Sequence, residues 1–467
     1  MRSARLLSTV SVFFLLPLLC FAGTDKPAST IADLPPEAQA GIRAALARSI
    51  SISSPANLRE RDVIPAPIEG PWVQLAQPLA AANPGFFYGT SVAISSDTVV
   101  VGQIYTFTGN GVGVAFVFVK PKTGNWNNLT QAAVLVPSDG LSTDLFAVSV
   151  AISGDTIVVG SPPYTGCTCG PGRAYVYVKP AGGWSGQLTQ TAELTASDGA
   201  NNSSVGSSVS ISADTVVAGA PGEMPGAAYV FVKPVNGWVN MTQTAKLIAS
   251  DGVASDAFGT SVSISGGTIV AGAPGATGLN TQAGAAYVFT EPAGGWTNMT
   301  QTAKLIASDG ASSDQFGLAV GVSSNRVVAG APRALGQVAT AGAAYVYTEP
   351  AGGWSNATQT AKLTAPDGET GDALGSAVAI SSNTVVAGAP DRICRSIPAL
   401  GFPAGGAYVF SKSGPDWAQA TVQVLTGTDA HNADLLGSSV AISGDLLVTG
   451  APYLGKYLGA AFVFAKF

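Results

Sequence analysis

Histidine is nearly absent from this chain of 467 residues, where His431 is the only one. Chemistry that depends on imidazole, as base, proton shuttle or metal ligand, has almost nothing to work with. No Ser/His/Asp set can be assembled around it, and no carboxylate pair stands apart from the rest as catalytic. The sequence therefore predicts a protein that is not an enzyme. Charge is scarce as well, at 11% of residues, with a net charge of −6. Without a basic excess there is no electrostatic footprint for nucleic acid. Cysteine is rare: Cys167 and Cys169 share one short run, GCTCG, without the spacing of a zinc site, and the others are Cys20 and Cys394. They read as loop cysteines without catalytic work, and their pairing stays open. No apolar run after the first 22 residues is long enough to cross a membrane.

The N-terminus reads as an export signal. Arg2 and Arg5 precede an apolar stretch from Leu6 to Phe21, and Ala22 offers a cleavage residue. Lipidation of Cys20 is the alternative, and the large Leu19 before it argues against that. Residues 23–70 are rich in Ala and Pro and show no strand pattern. Within them, residues 35–49 read as one short helix started by prolines. This stretch is expected to be a pro-segment or linker between the signal (1–22) and the main domain (71–467).

What is abundant is glycine, 57 copies, set among Val, Ala, Ser and Thr. The reason is a repeat. Residues 242–274 read TQTAKLIASDGVASDAFGTSVSISGGTIVAGAP, and residues 300–332 read TQTAKLIASDGASSDQFGLAVGVSSNRVVAGAP. Gly89, Ala147, Gly206, Gly259, Gly317, Gly375 and Gly437 mark seven units, at spacings of 58, 59, 53, 58, 58 and 62. Each unit holds four strand candidates bounded by Gly, Pro, Asp and Asn: FGTSVSIS (258–265), GTIVAGA (267–273), GAAYVFT (284–290) and WTNMTQTAKLIA (296–307). The turn between the first two is so short that they form a tight antiparallel hairpin.

Seven units of four antiparallel strands predict an all-β fold, a seven-bladed β-propeller whose blades bury their faces against one another. Small residues in the first two strands suit the crowded axis, and Tyr, Phe and Trp in the last two suit the wider rim. The chain ends on a third strand, AFVFAKF (461–467), and the missing Trp strand stands at the start, PWVQLAQPLAA (71–81). The N-terminal strand is therefore expected to close the ring.

The pairs Phe258–Gly259 with Gly272–Ala273–Pro274, and Phe316–Gly317 with Gly330–Ala331–Pro332, resemble FG-GAP repeats, the propeller repeats of integrin α-subunit heads and of many secreted proteins. Looser copies are Val205–Gly206 with Gly219–Ala220–Pro221, Leu374–Gly375 with Gly388–Ala389–Pro390, and Leu436–Gly437 with Gly450–Ala451–Pro452. The first two units diverge, with Tyr88–Gly89 and Gly102–Gln103, then Phe146–Ala147 and Gly160–Ser161–Pro162. The resemblance implies an extracellular, secreted protein engaged in adhesion or protein binding. The calcium loop that integrin-like repeats carry between FG and GAP strands is replaced here by SGD, SAD, SGG or SSN, too short to wrap a cation. No cofactor is expected.

Two Asp residues stand in each inter-blade connection: Asp139/Asp144, Asp251/Asp256, Asp309/Asp314, Asp367/Asp372 and Asp429/Asp434. A turn plus a backbone cap accounts for them; a weak cation site on Asp251, Asp256, Asp309 and Asp314 is the alternative. The most variable segments join the GAP strand to the AYVF strand, and variable loops on a rigid scaffold are where recognition lives. Arg333, Asp391, Arg392, Arg395, Tyr453, Lys456 and Tyr457 are the expected ligand-binding side chains, for an extracellular protein or, as the alternative, a glycan bound in lectin fashion. Trp184, Trp238, Trp296 and Trp354 sit at one place in the repeat and read as packing rather than as a sugar platform. Sequons begin at Asn128, Asn201, Asn202, Asn240, Asn298 and Asn356. A monomer is expected.

Overall fold

A strand of this chain alternates β-branched and small residues, so each face of a sheet is apolar and needs a partner sheet. The computed structural model shows how that need is met. It describes Trp72–Leu75, Leu79, Ala81 and residues 86–467, apart from 107–111, 123–125, 127–128, 142, 165–169, 393–403, 415, 428–433 and 454–458. The chain divides into two compact units, Met1–Glu69 and Gly70–Phe467, and the described residues all belong to the second. The expected export signal and linker lie outside the described residues.

Seven sheets follow one another along the chain. In blade 4 the strands are Ser261–Ser265, Thr268–Ala273, Ala285–Thr290 and Ala303–Ile306, hydrogen-bonded in that order and antiparallel. The first two are joined by Gly266 and Gly267, with Ser265 facing Thr268 across the turn. Gly266 has φ +56°, the left-handed conformation that two-residue hairpins require. The first strands of the blades, Phe86–Ser95, Ser149–Ser153, Ser208–Ser212, Ser261–Ser265, Ala319–Ser323, Ala377–Ser381 and Ser439–Ser443, touch in succession, and the last touches the first. They form the inner ring of a seven-bladed β-propeller.

Closure is by strand exchange between the ends of the domain. Trp72–Gln74 pairs antiparallel with Ala460–Lys466, Trp72 opposite Lys466 and Gln74 opposite Phe464. Leu75 and Leu79 donate their N–H groups to Val463 and Ala461. Blade 7 thus takes its outer strand from the start of the domain.

One expectation needs correcting. The fourth strand was expected to run unbroken over WTNMTQTAKLIA (296–307), and it does not. It splits at Thr300. Ala303–Ile306 pairs with the third strand of its own blade, whereas Met299–Thr300 pairs in parallel with Leu247 and Ile248, the outer strand of blade 3. The same crossing occurs at Gly186–Leu188, Met241–Thr242 and Ala357–Thr358. An outer strand left open would be a template for unwanted pairing, and blades 2 to 5 each cover the edge of the one before.

The core lies between blades rather than within them. Val217, Val230 and Leu247 of blade 3 pack on Phe258, Ile269, Tyr287, Phe289 and Trp296 of blade 4, all buried. Burying each such side chain contributes about 1.5–3 kcal/mol. All seven Trp residues are buried, which settles their role as packing.

Candidate binding face

Adjacent blades are fastened at three radii, and each fastener uses a residue the repeat supplies. Nearest the axis, serines do more than save space. Ser261 and Ser263 accept the N–H groups of Val320 and Val322 from the next blade, at 3.0 and 3.1 Å, and Ser210 accepts that of Ile264 at 3.2 Å. The inner strand of each sheet has one free edge, and the neighbour's hydroxyls satisfy part of it. The Phe-Gly and Gly-Ala-Pro positions also meet here. A Cβ on Gly272 would collide with the carbonyl oxygen of Gly317, and one on Gly450 with that of Gly89. The GAP glycine of one blade is therefore pressed against the FG glycine of the next, at the ring seam as elsewhere.

At middle radius stands a carboxylate fastener. Asp251, in the connection entering blade 4, accepts a bond from the Tyr287 hydroxyl at 3.0 Å and an ion pair from Lys304 Nζ at 2.5 Å. Lys304 also donates to the carbonyl of Thr277 at 2.7 Å and lies 5.4 Å from the Tyr287 ring centroid. Blade 5 repeats this with Asp309, Tyr345, Lys362 and the Leu335 carbonyl. Where the repeat lacks the lysine, another cation arrives. In blade 2, Arg173 reaches Asp139 at 2.8 Å, and in blade 6, Arg392 reaches Asp367 at 3.0 Å. Burial alone would raise the carboxyls of Asp251 and Asp309. The bonds from lysine and tyrosine outweigh it and hold both below the ordinary carboxylate range. Burial drives the Tyr287 and Tyr345 hydroxyls far up, so they stay protonated donors.

The second Asp of each pair is a cap. Asp256 and Asp314 are buried and accept the N–H groups of Val253 and Ala311, three residues earlier. Burial raises the Asp314 carboxyl, and the bond from Ala311 partly offsets it. Among the described residues no group of three or more His, Cys, Asp or Glu could share a metal ion. Asp251 and Asp309 already hold an ammonium of the chain itself, with a carbonyl oxygen beside it, where a cation would be sought.

At the rim, Gln301 accepts from the N–H of Ser250 and donates to its hydroxyl, clasping blade 4 to the connection before it. Asn240, Asn298 and Asn356 accept the N–H groups of Glu193, Lys246 and Lys304, each on the outer strand of the preceding blade, at 2.9, 2.7 and 2.8 Å.

The loops from the second to the third strand share a side with the inter-blade connections, as the strand order requires. Gly226, Gly284, Gly342 and Gly405 at the loop ends bridge in parallel to Phe258, Phe316, Leu374 and Leu436 of the next blade. Arg333 and Asp391 are exposed on this face. Tyr453 is half-buried, its ring edge-on to Phe87 at 5.2 Å. Arg392 is taken up by Asp367 and the Tyr408 hydroxyl, with only 13% of its side chain exposed, which makes it a fastener rather than a free recognition group. Arg395, Lys456 and Tyr457 lie outside the described residues.

The same face carries side chains that the reading for charge and tyrosine passed over. Leu141, Tyr164, Met224, Val253, Leu279, Leu335 and Val338 stand exposed on successive loops from blade 1 to blade 5, Met224 at 81% and Leu335 at 61%. At the outer corner of blade 3, Met224 and Pro225 line a groove of about 590 Å³ with Ile248 and Met299. The signal was available in the loop strings themselves: GEMPG and RALGQV each place a large apolar residue at a loop tip.

The FG-GAP repeat matches six times, over residues 129–177, 188–231, 241–289, 299–347, 357–410 and 419–464. No curated protein sequence matches the chain. Among solved structures, the WD40 β-propeller domain of Doa1 is 12% identical over 85% of this chain and 97% of that one, with a TM-score of 0.49. Sqt1 from Chaetomium thermophilum is 14% identical over 81% of this chain and 82% of that one, with a TM-score of 0.45. The glycine contacts between blades supply the physical reason for the motif itself, and this chain belongs to the FG-GAP repeat family.

Proposed function

We propose that the protein is a secreted, non-catalytic scaffold that binds another extracellular protein, in the manner of an adhesion module, through the face bearing its long loops. The observation that carries this reading is the set of apolar side chains at the tips of loops on that one face. Single exposed apolar residues are ordinary, Val178 and Val235 at the opposite turns among them, but a series along neighbouring loops of a rigid scaffold supports a protein-binding surface. Arg333 and Asp391 supply polar contacts at its margin. The buried tryptophans withdraw the main support for a glycan platform. No helix among the described residues is long and apolar enough to cross a membrane, which accords with release from the cell.

Capture of partners from the protein's native surroundings tests the proposal. A triple variant, Met224→Ser, Leu279→Ser and Leu335→Ser, is expected to melt like the parent and to lose the captured protein. Retention of the same partner by the variant would overturn the assignment of this face.

A further inference from the structure

The rim carries a second feature. Asn240, Asn298 and Asn356 each begin an Asn-x-Thr sequon, at one position on three successive blades. Each asparagine is exposed, and each spends its carbonyl oxygen on the outer strand of the preceding blade. That bond fixes the amide, so its nitrogen is turned away from the sheet edge. The fold thus accounts for the asparagine. It does not account for the threonine two residues on. Thr242, Thr300 and Thr358 are exposed, and among the described residues nothing holds their hydroxyls by a hydrogen bond. The neighbouring threonines of the repeat differ: Thr244, Thr302 and Thr360 each accept a backbone N–H. The contrast extends to the sequon at Asn201, whose Ser203 is buried and bonded to Glu223. The unused hydroxyl is the part of the motif that glycan transfer requires.

We propose that Asn240, Asn298 and Asn356 are N-glycosylation acceptors, carrying a line of N-linked glycans on the rim of blades 3 to 5. The transfer joins the amide nitrogen to the reducing-end carbon of a lipid-linked oligosaccharide, with the lipid diphosphate leaving and the amide proton released. Asn298 and Thr300 also line the groove beside Met224 and Pro225, so a glycan there borders the loop face at the outer corner of blade 3. This inference rests on the proposed export of the chain.

The test takes the protein as its source makes it and releases N-glycans with a peptide-N-glycosidase in ¹⁸O-water. The expected result is ¹⁸O-labelled aspartate at all three positions. Unlabelled asparagine at all three would overturn the proposal. The same digest reads the mature N-terminus, which separates the two readings. A chain cleaved near residue 22 with bare asparagines would sink the glycans and leave export standing, whereas an uncleaved leader with bare asparagines would sink both. Thr300→Ala is expected to abolish modification at Asn298 without moving the melting temperature, because the Asn298–Lys246 bond survives. Persistence of the glycan in that variant would contradict the assignment.

Discussion

Blades 4 and 5 and the seam between blades 7 and 1 solve the same problem by different means. In blade 4 the connection carries Asp251, and Tyr287 with Lys304 is clamped onto it. In blade 1 the position of Tyr287 is held by Phe116, and the stretch leading in, AANPGFFYG, contains no acid. Phe116 packs on Tyr88 at 5.6 Å among Leu79, Trp126 and Val463 instead. Blade 7 likewise has Phe462 there, buried against Leu425 and Trp72. In blades 2, 4, 5 and 6 a carboxylate receives the tyrosine hydroxyl at this position, whereas beside Phe116 the buried Tyr88 hydroxyl has no partner among the described residues. What binds the seam is the strand itself, helped by Gln423, whose amide both donates to and accepts from the backbone of Trp72 at 2.7 and 2.8 Å.

This contrast can be broken most forcefully at the seam. Removing residues 71–81 exposes the third strand of blade 7 and its apolar faces. Loss of cooperative urea unfolding is expected, with association of chains on size exclusion, because an uncovered edge seeks another strand. The next largest effect is common to seam and regular blades. Gly272→Ala drives a methyl into the Gly317 carbonyl and is expected to cost about 2–3 kcal/mol or more by chemical denaturation. Gly294→Ala, with open space around it, is expected to change stability by under about 0.5 kcal/mol.

Exchanging the two fasteners sharpens the comparison. Phe116→Tyr buries a hydroxyl with no acid in the connection to receive it, an expected loss of about 1–3 kcal/mol, while Tyr287→Phe gives up one bond, about 1 kcal/mol. Equal costs in the two blades would contradict this difference. The smallest effect is on acid stability. Asp251 and Asp309 sit below their unfolded value of about 4, so they stabilise the fold above that pH and the contribution fades as pH falls through the folded value. Asp144 and Asp314, raised by burial, pull the other way. Asp251→Asn is expected to flatten the loss of melting temperature below about pH 4 by a small amount, since Asp251 is half exposed.

Much of this was legible in the sequence, because a repeat writes the same physics seven times. The spacing of Gly89, Gly259 and Gly437 carried the blade number, and the displaced Trp72 strand carried the closure. What stayed hidden depends on which blade a residue contacts. Met299 and Thr300 look like one strand with Ala303, yet they serve the preceding blade. Asp251 reads as a turn residue, and only the fold brings Tyr287 and Lys304 to it from 36 and 53 positions away. Arg392 looked like a free loop cation because nothing local shows Asp367, 25 positions earlier, waiting for it. The apolar loop tips read as isolated residues among Gly and Pro, and only the fold shows that they stand exposed on neighbouring loops.

Ring closure is the claim on which the face, the fasteners and the rim all rest, and a cross-link measures it directly. Val73 lies opposite Ala465 across the closing pair. With Val73→Cys and Ala465→Cys introduced together, mild oxidation is expected to yield a disulfide joining these two positions within one chain, seen by peptide mapping. A protein in which both cysteines remain free, or link only between chains, would contradict a ring sealed by its own first strand.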